Sequence, residues 1–269
     1  MAQKPAVIKL SSRPTQQFWE ISILYEDDQL LALDKPGCLL ISPDRFDPGA
    51  PNLMALLHGG IAEGKPWAKE RELGYLMNAH RLEAEMSGAL LLAKAKPAFL
   101  ELVNGFGAGK FSQKLVALVQ GAPAQDHFEV QAKIAPDPAR PGCVRIDARR
   151  GKASRTTFTV MEKFAGFTLL ECELLTNRSH QIRVHLRSVG LRLAGDSLYG
   201  GKPLLLSGLK REYRLKLRAT ERPLLDRAAL HGAELGLPHP LTGQALTITA
   251  PLPKDLSVAL KYLRRYAKG

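Results

Sequence analysis

Two uninterrupted apolar runs, Ala89–Ala93 and Leu115–Val119, set the terms on which this chain can fold. Each spans only five residues, too few for a buried helix, and each reads as a strand covered on both faces. The first is followed by Pro97–Phe106, where Phe99, Leu100, Val103 and Phe106 recur at helical spacing; the second ends at Gly121. Around them, Ile21–Leu24 and Leu30–Asp34 read as short strands flanking the polar turn Glu26-Asp27-Asp28. Lys35-Pro36-Gly37 turns the chain into Cys38–Ile41, and Asn52–His58 reads as one or two helical turns. Phe158–Met161 and Thr168–Leu175 form a strand pair about Ala165-Gly166. Ser179–Val189 is a basic helix with Ile182, Val184, Leu186 and Val189 inward. A strand at Ala245–Thr249 and a helix at Leu256–Ala267 close the chain. Without regular βαβ alternation, the expected class is α+β, with a central, largely antiparallel mixed sheet flanked by helices and loops. Residues 1–20 are expected to be a loosely ordered lead-in to one domain over residues 21–269.

Charge narrows the partner. The 269 residues carry 38 Lys and Arg against 26 Asp and Glu, a net charge of +12, which favours a polyanion through counterion release. A merely soluble basic surface is the alternative. Cys38, Cys143 and Cys172 lie far apart, with no CxxC pair, which argues against a zinc site or disulfide framework and for a reducing compartment. No secretory leader and no run of ~20 apolar residues is present. A cytoplasmic monomer that binds no membrane is expected.

The richest motif is His80-Arg81-Leu82-Glu83-Ala84-Glu85-Met86-Ser87-Gly88, running into the apolar strand. It resembles the HRLDxxTSG motif of the RluA-type pseudouridine synthases. Three further segments resemble that family, in its order: Leu31–Gly37 (an apolar strand, then D/N-K-P), Thr176–Leu186 with Gly195–Gly200 (TGRxHQIRVHL and GDxLYG), and Ala229–His231 through His239–Gly243 to Ala250–Pro253 (ALHA, HPxTG, APLP). The similarity covers roughly residues 20–260, without an amino-terminal S4-type RNA-binding domain.

The resemblance implies the pseudouridine synthase fold and isomerisation of uridine in rRNA or tRNA, with no metal or cofactor. The base is detached from its ribose, turned and rejoined through carbon. The target must be unstacked or flipped, with positive charge tracking the backbone. An ionised carboxylate acts at the glycosidic bond as nucleophile or base, kept charged by a fixed arginine. On the family's pattern Glu83 takes the carboxylate's place and Arg183 that of its arginine. Arg81 matches the residue that helps fill the vacated stack, and His80, Leu82, Ser87 and Gly88 match the loop's supports. Leu115, in Gln113-Lys114-Leu115-Val116-Ala117, takes the place of the active-site tyrosine. Arg178, Lys210, Arg211 and Arg214 are candidate RNA contacts, the last three within the basic stretch 200–222. Ordinary salt-bridge or phosphate residues are the plainer reading of Arg81 and Arg183. His180 and His185 invite a metal reading, which the lack of acidic or cysteine partners at ligand spacing disfavours.

Four positions depart from the family pattern. Glu83 stands for aspartate and adds a methylene, about 1.5 Å of reach; a misplacement of about 1 Å costs on the order of 100-fold in rate. Leu115 lacks both a hydroxyl and a π-face, with Tyr199 and Phe111 nearby in sequence. Met86 replaces threonine. Asn177 replaces a glycine, and Asn tolerates positive φ. These changes fit a synthase with a glutamate catalyst and equally a catalytically silent RNA-binding paralogue acting as RNA chaperone or assembly factor. A third reading assigns unrelated acid–base chemistry to His80, Glu83 and Glu85.

Overall fold

The structure, a computed structural model, describes residues 6–45, 47–210, 212–215 and 219–268. In chain order the first elements are β1 (Val7–Ser12), β2 (Gln17–Glu26), β3 (Leu30–Lys35), α1 (Leu53–Ala62), α2 (Pro66–Lys69), β4 (Met77–Asn78), β5 (Ser87–Ala93) and α3 (Lys96–Gly107). There follow β6 (Ser112–Gln120), β7 (His127–Pro136), β8 (Val144–Ile146), β9 (Lys152–Phe164), β10 (Phe167–Leu174), α4 (Gln181–Ser188) and β11 (Arg192–Leu193). The last are α5 (Leu206–Leu209), β12 (Leu230–Pro238), β13 (Ala245–Thr249) and α6 (Lys254–Tyr266). The chain forms two compact units, residues 1–113 with 232–251 and residues 114–231 with 252–269.

The first unit is a sheet in the order β1-β2-β3-β5-β12, with β4 on β5 and β13 on β12. Its spine is β5, all seven residues of which are buried. β3 and β5 pair antiparallel from Leu30↔Ala93 to Lys35↔Gly88, which sorts their side chains onto two faces. Leu30, Ala32, Ala89, Leu91 and Ala93 pack with Ala98 and Leu102 of α3, Phe111, and Leu235, Leu237 and Ile248 of the β12–β13 pair. Leu31, Leu33, Leu90 and Leu92 fill the opposite face and are fully buried. At roughly 1.5–3 kcal/mol per buried leucine, Leu90–Leu92 alone contribute about 5 kcal/mol or more.

Two expectations change in this unit. Residues 7–20 are not a loose lead-in: β1 pairs antiparallel with β2 from Val7↔Ser22 to Ser12↔Gln17, and β1 alternates exposed and buried side chains. The α3 helix forms as expected, and Phe99 and Phe106 of its apolar stripe pack against the core, but its most deeply buried side is a smaller one. It buries Ala98, Leu102 and Gly105, while Leu100 and Val103 are 50% and 41% exposed. The reason is close approach: a Cβ on Gly105 would lie 2.1 Å from the Phe111 ring, so that ring seats directly on the helix backbone.

The second unit is a sheet in the order β6-β10-β9-β7-β8, with β11 also on β6. Its pairs are antiparallel, and Leu115, Cys172 and Phe158 lie side by side across β6, β10 and β9. Phe128 stacks on Phe158 with ring centroids 4.9 Å apart. The α4 helix packs on this sheet through Ile182, Val184 and Leu186, whereas Val189, expected inward, is 46% exposed just beyond the helix end. The α6 helix buries Leu256, Ala259, Leu260 and Leu263 along one stripe. Both units are thus largely antiparallel sheets with attached helices, the α+β class. No helix among the described residues is long and apolar enough to cross a membrane.

Candidate active site

The loop between β4 and β5 carries Glu83 and Glu85, both half-buried. β4 pairs with β5 at Met77↔Ala93 and Asn78↔Leu92, and Ala79 N–H still reaches Leu91 O at 3.0 Å. At the next step the side chain takes over, and Leu91 N–H donates to His80 Nε2 at 3.0 Å. The imidazole stands where a strand carbonyl would continue the ladder, so the backbone is released and peels away from β5. His80 Nε2 accepts, which places the ring proton on Nδ1, an atom buried without a hydrogen-bond partner. Burial pushes this imidazole down to about 4, so the ring is neutral at neutral pH, stacked on Phe106 at 4.8 Å.

Beyond His80, Arg81 is exposed, Leu82 is buried and Glu83 is half-buried. Glu83 opens a tight turn closed by Met86 N–H donating to Glu83 O at 3.1 Å. Lys35 holds that turn from beneath. Its side chain is fully buried, and Nζ donates to Pro36 O (2.8 Å), Leu39 O (2.7 Å) and Ala84 O (3.1 Å). The turn ends at Gly88, whose φ of +122° and whose approach to Gly232 leave no room for a side chain: a Cβ would meet Gly232 O at 2.2 Å. Met86 is buried and packs beneath the turn as a core residue. Beside Lys35, burial raises the half-buried Asp34 carboxyl to about 6.

In the second unit, α4 is fastened to β9 by one chain of hydrogen bonds. Arg155 N–H donates to Thr176 Oγ1 (2.9 Å), which donates to Gln181 Oε1 (2.9 Å). Gln181 Nε2 donates to Thr156 Oγ1 at 2.8 Å, and that hydroxyl lies 3.0 Å from His185 Nδ1. On the other side of the ring, His185 Nε2 lies 2.8 Å from Ser154 Oγ, which donates to Ala132 O at 2.7 Å. The Ser154 hydroxyl has one proton, given to Ala132 O, so it must accept from Nε2–H. Burial pushes the ring down to about 4, so it is neutral at neutral pH, Thr156 donates to Nδ1, and both nitrogens are committed to hydroxyls rather than to a metal.

Arg183 projects from α4 away from this chain of bonds. Its Nε and Nη2 fork onto Asp196 Oδ2 and Oδ1 at 2.8 and 2.5 Å, and its guanidinium carbon lies 5.1 Å from the Tyr199 ring centre. Asp196 also accepts from Tyr199 N–H at 3.1 Å. Bidentate pairing and stacking fix the plane of a guanidinium, which a lysine would not allow. The Tyr199 hydroxyl accepts from Val144 N–H at 2.9 Å and lies 2.8 Å from His180 Nδ1. Tyr199 is thus 3% exposed and braces Arg183, while Phe111 belongs to the first unit's core. Asn177 does not use the left-handed region in this loop; His180 does, with φ of +52°.

The expected site residues divide between the units. Glu83, Arg81 and His80 are on the first; Arg183, Leu115, Arg178, Lys210 and Arg214 are on the second. His80 is a buried support and not a surface contact. Leu115 is buried on β6. Arg178 is exposed, with Nε 3.4 Å from Ala153 O, and Arg214 is exposed. Lys210 is half-buried, its Nζ 5.9 Å from the Tyr266 ring centre. Arg211 lies outside the described residues. Sequence reasoning passed over Lys35, Asp196 and Gln181, each of which stands inside a motif it had noticed.

Residues 29–188 match the family described as RNA pseudouridylate synthase. The chain is 31% identical over 244 residues to "Ribosomal large subunit pseudouridine synthase D" of Haemophilus ducreyi, covering 91% of this chain and 71% of that protein. The chain belongs to the RNA pseudouridylate synthase family. It is also 31% identical over 248 residues to "Uncharacterized RNA pseudouridine synthase YlyB" of Bacillus subtilis, covering 91% of this chain and 74% of that one. Among solved structures, human RNA pseudouridylate synthase domain containing 4 superposes with a TM-score of 0.68 at 21% identity, covering 90% of this chain and 92% of the human one, a likeness of fold. As a pseudouridylate synthase the chain has RNA for its substrate and isomerisation for its reaction class.

Proposed function

We propose that this synthase isomerises uridine to pseudouridine in large-subunit ribosomal RNA, with Glu83 as the reacting carboxylate and Arg183 as the guanidinium that keeps it ionised. The observation that carries the reading is the mounting of Glu83. The half-buried Glu83 opens a turn held by Lys35 and His80, two supports that come from two separate motifs of the family pattern. The names of the curated relatives support the choice of RNA. Arg183 supports its own role by being held in one plane by Asp196 and Tyr199.

In this reading the bond between uracil N1 and ribose C1′ breaks, the base turns, and C5 bonds to C1′. The C5 hydrogen leaves as a proton and N1 regains one, so the reaction needs no cofactor. Glu83 acts at the sugar or as base. Exposed Arg81 fills the space the base leaves, and Arg178, Lys210 and Arg214 follow the backbone. The enzyme works as a monomer in the cytoplasm.

Tritium release from large-subunit rRNA labelled at uridine C5 tests this. Wild type is expected to release tritium and Glu83→Gln to lose at least about 1000-fold, since the charge is gone while the shape remains. Silence from wild type, with release by a Glu83→Asp, Leu115→Tyr double variant, would overturn it in favour of an RNA-binding protein that no longer catalyses.

A further inference from the structure

We infer that the carboxy-terminal end of α6 is a docking platform for single-stranded RNA, separate from the residues that carry the chemistry. The inference rests on RNA being the substrate and adds where a flanking strand is held. Tyr262 and Tyr266 stand one turn apart on α6, both half-buried, with rings 6.1 Å apart and nearly parallel at 12°. Two cations face the second ring: Lys210 Nζ at 5.9 Å and the Arg265 guanidinium carbon at 5.2 Å. Lys261, Arg264, Arg265 and Lys268 are all exposed around the pair.

Of these cations only Arg264 is paired to an acid among the contacts of the described residues. The only acid in α6 is Asp255, at its other end, where Arg227 forks onto it at 2.8 and 3.1 Å. Glu162 of β9 is taken up by Arg264 through contacts of 2.7, 3.0 and 3.1 Å. These two ion pairs tie the helix at both ends, so the ring pair sits on a fixed support. The main chain adds to this, with Ala165 N–H donating to Ala267 O at 2.9 Å.

Stacked tyrosines among cations suit one ligand above others. Single-stranded nucleic acid offers a π-face at every base and a phosphate at every step, so rings and cations are used together. A duplex hides its base faces and would use the cations alone. Tyr262, whose ring partner is Tyr266 and over whose ring no cation of the described residues is placed, is the position at which a base extends the stack.

Fluorescence anisotropy with a labelled mixed-sequence RNA 12-mer, between 50 and 200 mM salt, decides the matter. Tyr262→Ala is expected to weaken binding roughly tenfold or more at unchanged salt slope, and Tyr262→Phe to restore it, because the ring and not the hydroxyl is needed. Arg265→Gln, at an exposed position, is expected to lower the slope of log affinity against log salt by about 0.7. Thermal melts establish that each variant is folded. Wild-type affinity in folded Tyr262→Ala overturns the inference, as does an unchanged slope in Arg265→Gln. Weakened binding to phosphatidylserine-containing vesicles with RNA binding intact would also overturn it, by making the platform a membrane contact. A wild type that releases no tritium, yet loses RNA affinity on Tyr262→Ala, would overturn the proposed function and leave the platform standing.

Discussion

Lys35, at the end of β3, is expected to be the least replaceable support of the Glu83 turn. Lys35→Met fills the same space but leaves the carbonyls of Pro36, Leu39 and Ala84 without their donor in a buried place. An unmet buried acceptor costs on the order of 1–3 kcal/mol, so urea unfolding should show a loss of about 3 kcal/mol, and tritium release should fall further than the folded fraction does. A loss under about 1 kcal/mol would show that the loop is held by something else. Asp34, its neighbour, has the opposite sign. Its carboxyl titrates near 6 in the native state and near 3.8 when free, so between those values the folded chain holds a proton that the unfolded chain has released. The stabilisation of the protonated form is complete below about 3.8 and is lost as pH rises through 6. Asp34→Asn should therefore be more stable than wild type at pH 8, by on the order of 1 kcal/mol after solvent screening, and equal to it at pH 4. Urea melts at the two pH values measure this. The sequence displays both residues in a recognisable motif, yet it does not disclose that one is a three-way clamp and its neighbour a strained acid, because both facts depend on which face of β3 each occupies.

Elements were legible where their apolar pattern decides their burial and illegible where an outside residue does. The spans of β5, β13 and α6 follow from uninterrupted or periodic apolar residues and fall within two residues of expectation. The inward face of α3 does not follow, since the small side of the helix is chosen by the Phe111 ring seated on Gly105. β7 and β12 passed unnoticed, as polar residues interrupt them, and β1 is a short edge strand with Lys9 and Ser11 outward. For α4 the hidden part is the hydrogen-bond chain through Gln181 and His185, which fixes how Arg183 points. Its histidine gives the element a pH signature. The unfolded ring takes a proton near 6.5 and the native ring only near 4, so stability is full above 6.5 and falls as pH drops towards 4. His185→Gln, whose amide can meet both hydroxyls, should be less stable at pH 7 by about 1–2 kcal/mol. It should also lose less than wild type between pH 6.5 and 4, as denaturation at pH 7, 5 and 4 would show.

At the scale of the whole molecule, the charge of +12 governs how RNA arrives more than which uridine is modified. Affinity for RNA should fall with salt at a log–log slope steeper than about −2, equivalent to three or more phosphates on a single strand. In turnover the same salt should raise KM with kcat nearly constant, and a flat KM between 50 and 200 mM would mean that long-range charge plays no part. Within that frame, the imidazole that replaces a strand carbonyl beneath the reactive loop has a wider meaning. A loop that merely continues a strand inherits the strand's register and can shift only in steps of a residue. One held by the His80 imidazole at its start and by a single Lys35 hydrogen bond to Ala84 O within its turn is mounted on side chains, so its position follows two side chains and not the register of the ladder beneath. Such a mounting leaves room for acids of different length at position 83 without any change in the strands that carry it.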